Sequence, residues 1–148
     1  MERNNLDRYK QDLLTVGNYT VQQIPCPYNL IDTWETSMDN VYTKFKEKAR
    51  QRHRIMTMVY AYYVGELIHL SVTPRDKWLE FVNMKNIQRE YHFYLGIIRV
   101  YNLFKPNVEQ IYRTSHLSYR ILLDMKSREY KELVNYYRTI DNLNFDEL

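Results

Sequence analysis

Trp34 to Leu70 reads WETSMDNVYTKFKEKARQRHRIMTMVYAYYVGELIHL, and the path of this stretch decides the architecture of the chain. Trp34, Met38, Val41, Phe45, Ala49, Met56, Val59, Tyr63, Leu67 and Leu70 recur at helical steps of three and four, with Arg52 standing between Ala49 and Met56. That repeat lines up one face of an α-helix. The spacing predicts a single central helix on the order of 50 Å long.

Its two halves differ in chemistry. Ile55 to Val64, IMTMVYAYYV, is apolar or aromatic on nearly every side and is expected to be surrounded by other helices. Upstream, Lys44, Lys46, Lys48, Arg50, Arg52 and Arg54 occupy every second position, with Glu47 the one acid among them. On a helical wheel Lys44, Lys46, Lys48, Arg50 and Arg54 spread over the side away from the apolar stripe, whereas Arg52 falls within it. A charge there is expected to lay its stem along the core and to place its head on a carboxylate or carbonyl. The alternative is a groove, where the bundle splays and Arg52 faces the opening.

Working outward, 148 residues without a Gly-, Ser- or Pro-rich linker fit one domain over 1–148. Three glycines and four prolines are few, which argues for helices with short connections over hairpin-rich sheets. The expectation is an all-α bundle of about six helices around the long central one. A single cysteine excludes an internal disulfide framework, and no N-terminal stretch resembles a signal peptide. An intracellular setting, nucleus or cytoplasm, follows as the expectation. No apolar run approaches the roughly 20 residues of a membrane span. Net charge is +3, and fifteen tyrosines are the compositional oddity.

Before the central stretch, Leu6, Tyr9, Leu13 and Leu14 predict a short amphipathic helix over 3–16, with Gly17 as its C-terminal cap. Pro25, Cys26 and Pro27 then force an extended wrapping segment over 18–31, pinned by Tyr19, Val21, Ile24 and Tyr28. Asp32 and Glu35 have the spacing of a capping box at the start of the central helix. After it, Thr73, Pro74 and Asp76 open a helix carrying Trp78, Phe81 and Val82. The apolar phase shifts at Asn83 to Asn86, which predicts a break and a longer helix from about Ile87 to Phe104. Asn107 with Gln110 caps one or two turns, Thr114 and Ser115 make a tight turn, and a short helix runs from about His116 to Met125. Ser127 caps a last helix with Tyr130, Leu133, Val134 and Tyr137, and 141–148 is read as an acidic flexible tail.

Enzymatic signatures are missing from the pattern. His53, His69, His92 and His116 stand singly, without the paired spacing of metal ligands, and there is no phosphate-binding glycine loop or nucleophile elbow. Cys26 has no basic neighbour to activate its thiol. The chain is therefore read as non-catalytic, with no cofactor and no metal, though an accessory role in an enzyme complex stays open.

The expected function is nucleic-acid binding, DNA in the first place, as an accessory subunit. Lys44, Lys46, Lys48, Arg50 and Arg54 would contact phosphates, joined by Arg113, Arg120 and Arg128. The short C-terminal helices around Thr114 and Ser115 suggest a helix-turn-helix, although Tyr112 stands where a small residue is wanted and the turn lacks glycine. The alternative is a protein-interaction adaptor, cellular or viral, offering a tyrosine-rich groove with Tyr60, Tyr62, Tyr63, Tyr91 and Tyr94. A self-associating structural protein is a third reading. A protein partner is expected in each case, and a membrane in none.

Overall fold

A helix of L-residues ends where one residue turns into the left-handed region, and Arg52, with φ 57°, does so in the computed structural model of this chain. The structure describes residues 2–14, 25–29, 31–105 and 107–147. Among them are α1 (Glu2–Leu14), α2 (Trp34–Arg50), α3 (Arg54–Ile68), α4 (Pro74–Met84), α5 (Phe93–Phe104), α6 (Tyr119–Asp124) and α7 (Ser127–Glu147). Two 3-10 segments, Gln88–Glu90 and Val108–Arg113, join them, and no described residue is in a strand. The fold is all-α.

The single central helix is thus a hairpin of two. At the end of α2 the His53 N–H donates to the Lys48 carbonyl at 3.0 Å, and the Arg52 N–H donates to the Ala49 carbonyl at 3.1 Å. These bonds close the orphan carbonyls of the last turn in the pattern that usually calls for glycine. His53 then caps α3: its ring Nδ1 accepts from the Met56 N–H at 3.2 Å. Wheel positions carried across residue 52 therefore do not apply. Arg52 neither packs along the core nor faces a groove; it is exposed on the turn.

α3 is the centre of the molecule, packing against α2, α4, α5, α6 and the 3-10 helix Val108–Arg113. Met58, Val59, Ala61, Val64, Leu67 and Ile68 are buried on it, as the greasy run Ile55 to Val64 leads one to expect. α5 approaches so closely that a Cβ built on Gly65 would sit 2.5 Å from the Tyr101 Cβ. At the other end of the hairpin the Trp34 Nε1–H donates to the Leu67 carbonyl at 2.8 Å, fixing the register of α2 on α3. α4 covers α2 through Trp78 and Phe81, whose rings meet Tyr42 at 5.5 and 5.6 Å. α1 and α7 pack together, and α1 also meets the 3-10 helix Val108–Arg113.

Several local features differ from the sequence expectation. Thr33, not Asp32, caps α2, accepting from the Thr36 N–H at 3.2 Å. A second left-handed residue, Asn86, ends α4 by the same device used at Arg52, with the Ile87 N–H on the Val82 carbonyl at 2.9 Å. α5 begins at Phe93 rather than Ile87, because the 3-10 segment Gln88–Glu90 takes up the chain first. Asn107 does cap, but it accepts from the Glu109 N–H, and Gln110 reaches away to the Leu13 carbonyl. Ser118 rather than His116 precedes α6, and Ser127 lies within α7 instead of capping it. α7 also continues through 141–147, where composition suggested a flexible tail; no glycine or proline stands there to stop it. Most of the wrapping segment and the Gly17 cap lie outside the described residues. Within its described part Tyr28 donates to the Glu66 carboxylate and meets Tyr63 edge-on at 6.2 Å.

Replacing Arg52 tests the break. Left-handed backbone costs an L-residue about 1–2 kcal/mol and glycine almost nothing. Arg52→Gly is expected to stabilise the fold and β-branched Arg52→Val to destabilise it, each by about 1 kcal/mol, read as a thermal midpoint that rises in the first and falls in the second. A continuous helix would instead lose about 1 kcal/mol on Arg52→Gly.

Candidate nucleic-acid interface

Because the chain reverses at Arg52, the end of α2 and the start of α3 form a corner. The loop 114–118 and the start of α6 stand beside it. Arg54 Nη1 donates to the Leu117 carbonyl at 2.8 Å and the Thr114 hydroxyl at 3.3 Å, and the Phe45 and Tyr119 rings pack 5.2 Å apart. Asp12 on α1 holds the loop from the other side, accepting from the His116 N–H at 2.7 Å and from the Ser115 hydroxyl.

The cations expected from sequence divide into three groups here. Lys44 pairs with Glu47 at 3.8 Å, and Lys46 pairs with Glu90 at 3.3 Å while lying 4.4 Å over the Phe93 ring. Arg54 is a structural tie between α3 and the loop. Lys46 and Arg54 are committed within the fold, and Lys44 makes an exposed pair on its own helix. Lys48, Arg50 and Arg120 remain, with Arg52 added. Lys48 is held only by the neutral Gln51 amide at 3.5 Å, and Arg50, Arg52 and Arg120 are exposed with no ion pair among the described residues. Arg113 leads into the same loop half-buried, and its Nε is enclosed without a hydrogen-bond partner. Arg128 sits beyond the far end of α6, in the first turn of α7, and does not join the corner.

The helix-turn-helix expectation fails on length and geometry. Its first element is a six-residue 3-10 helix, its second the six-residue α6, and the extended residues between them include buried Leu117. The first turn of α6 is occupied by buried Tyr119, whose hydroxyl donates to the Phe93 carbonyl at 3.1 Å. A single six-residue helix whose first turn is anchored through Tyr119 is too short to act as a recognition helix, although Arg120 beside it is exposed.

Tyrosine is used as an internal strut. Tyr62 and Tyr63 are buried, and Tyr60, Tyr91 and Tyr94 are half-buried. Hydroxyls end on fixed acceptors: Tyr42 on Glu90 at 2.5 Å, Tyr130 on the Arg99 carbonyl at 2.8 Å. Outside 140–148, no described Phe, Trp or Tyr is exposed. The exposed large apolar residues lie elsewhere, with Ile31, Leu70 and Val72 at the opposite end of the hairpin.

No protein-family model matches the chain, and no curated protein or solved structure is significantly similar to it.

Two further features bound the chemistry. A cavity of about 460 Å³ opens between Cys26, Pro27, Tyr28, Asn29, Asp32, Ser37 and Asn40, away from the cationic corner. No described helix is long and apolar enough to cross a membrane. What sequence reasoning missed is Arg52. The sequence shows a charge where the stripe wants an apolar residue, but Arg seldom takes the left-handed region and so does not announce a helix end.

Buried phenols make stability fall at high pH. Burial, then its neighbouring acidic groups, raises the Tyr63 hydroxyl from 10.0 to about 12, and burial pushes Tyr28, Tyr42, Tyr62, Tyr119 and Tyr130 up as well. The folded state keeps protons that the unfolded chain releases near 10.0, so their stabilisation is whole below that pH and drains away as pH climbs toward 12. Thermal midpoints and tyrosinate absorbance followed together should show unfolding with late, cooperative ionisation. Complete ionisation near pH 10 in a still-folded chain would contradict the burial.

Proposed function

We propose that this protein is a non-catalytic nucleic-acid-binding accessory subunit that contacts phosphates through the corner between α2 and α3. The observation that supports the reading is the set of exposed cations, Arg50, Arg52 and Arg120, that have no acidic partner among the described residues, while Lys44 stands beside Glu47 and Lys46 beside Glu90. Lys48 adds a fourth positive group. So few contacts give weak binding at physiological salt, which suits a subunit that adds affinity to a larger assembly. A second reading, contact with protein, has its own observation in the opposite end, where Ile31 is 89% and Val72 98% exposed.

Three or four neutralised phosphates lower affinity by roughly 40- to 150-fold between 50 and 200 mM salt. Fluorescence anisotropy on a labelled duplex is expected to follow that slope. The triple variant Arg50→Ala, Arg52→Gly, Arg120→Ala should flatten it, whereas Lys44→Ala leaves it nearly unchanged. Absence of binding at 50 mM, or a triple variant indistinguishable from the parent, rejects the reading. Light scattering that reports concentration-dependent association, abolished by Val72→Asp, would then favour the protein-contact alternative.

A further inference from the structure

Two exposed imidazoles, His53 and His116, stand at the corner and on the loop beside it, and imidazole is the side chain whose charge changes between about pH 5 and 8. They differ in what their rings already do. The His53 Nδ1 accepts the Met56 N–H at 3.2 Å, so the proton of the neutral ring sits on Nε2. A second proton, on Nδ1, would take away the acceptor that caps α3. The charged groups beside that ring are Lys48 on α2, whose carbonyl holds the His53 amide, and Arg52 and Arg54 on either side of it in the chain.

His116 has no such duty. Its ring is exposed and has no hydrogen-bond, ion-pair or stacking partner among the described residues. Its backbone, by contrast, is anchored. The His116 N–H donates to one Asp12 oxygen at 2.7 Å, the Ser115 hydroxyl takes the other, and Leu117 is buried with its carbonyl on Arg54. The charged groups around the loop are Asp12 from α1, with both oxygens bonded, Arg54 from α3, and Arg113 and Arg120 on the loop's own stretch.

The next step rests on the phosphate-binding reading of the corner. We infer that His116 is a further phosphate contact, made by its imidazolium form and not by the neutral ring, so that the corner holds nucleic acid more tightly as pH falls. A neutral ring offers an anion one N–H; the imidazolium offers two and a full positive charge. Phosphate favours the protonated ring, so binding takes up a proton from solution and affinity rises toward acid pH. His53 stays with its helix cap and adds nothing to that rise.

The experiment measures anisotropy of a labelled DNA duplex with the full chain at 50 and 200 mM salt, at about pH 8 and about pH 5.5. At the lower pH the parent is expected to lose roughly 3.5-fold more affinity across that salt range, the mark of one added phosphate contact. His116→Gln should abolish the increment and match the parent at pH 8. His116→Lys, with a fixed charge, should show the steeper salt dependence at both pH values. His53→Asn, which keeps a capping acceptor, should retain the increment. An increment that survives His116→Gln, one that is lost in His53→Asn, or a His116→Gln defect equal at both pH values overturns the inference and leaves phosphate binding standing. So does a parent whose salt dependence is the same at both. Absence of binding at either pH overturns both readings.

Discussion

Ending α2 at Arg50 requires the His53 amide to close back on the Lys48 carbonyl over a left-handed Arg52, and the placement of the other helices depends on that reversal. With the bend, α2 returns along α3, Trp34 reaches the Leu67 carbonyl, and α3 gains the neighbour it needs on one of its apolar sides. Without it, residues 34–70 would form a rod whose greasy half had too few partners to bury it. The bend also gives the positive charges their arrangement. Alternate cations that would have encircled a helix are divided between acid-paired positions on α2, a tie to the loop 114–118, and an exposed turn.

The interior is organised by polar tips on large rings and by one buried cation. Arg99 is 5% exposed, and its guanidinium donates to the Leu122 carbonyl at 2.7 Å and the Met125 carbonyl at 2.5 Å, at the C-terminal end of α6. Carbonyls at and just past a helix C-terminus carry partial negative charge and lack intrahelical donors, so they receive a cation without a carboxylate. Burial lowers its pKa, and the Tyr130 ring, 4.9 Å away, lies against the charge. The arrangement fixes α6 to α5 and to the start of α7. It also holds the chain segment that sets Tyr119 against Phe45, and so the loop against the corner.

Much of this was legible in the sequence, for physical reasons that can be named. Few glycines and the apolar periods of Trp34 to Leu70 and of Ile87 to Phe104 identify an all-helical domain, and the phase shift at Asn83 to Asn86 locates a true break. Asn commonly takes the left-handed region, so that signal was in plain view. Arg rarely does, and a histidine ring is an uncommon cap, so the break at Arg52 was hidden behind residues of the wrong type. The candidate site suffered most from this. Wheel geometry assigned Arg54 to solvent, whereas it binds the Leu117 carbonyl, and it assigned Arg52 to the core, whereas it is exposed. Ion pairs such as Lys46 with Glu90 join residues far apart in the chain, and no local spacing announces them.

A distance across the hairpin tests the central claim most directly. Spin labels placed at exposed Glu35 and Leu70, in a Cys26→Ser background, would be about 50 Å apart on a continuous helix. Two packed helices with axes about 10 Å apart bring the same sites close together. Pulsed dipolar spectroscopy is expected to return a single short distance, within about 25 Å once label arms are included. A distribution centred near 50 Å would contradict the reversal at Arg52 and remove the corner on which the binding surface is built.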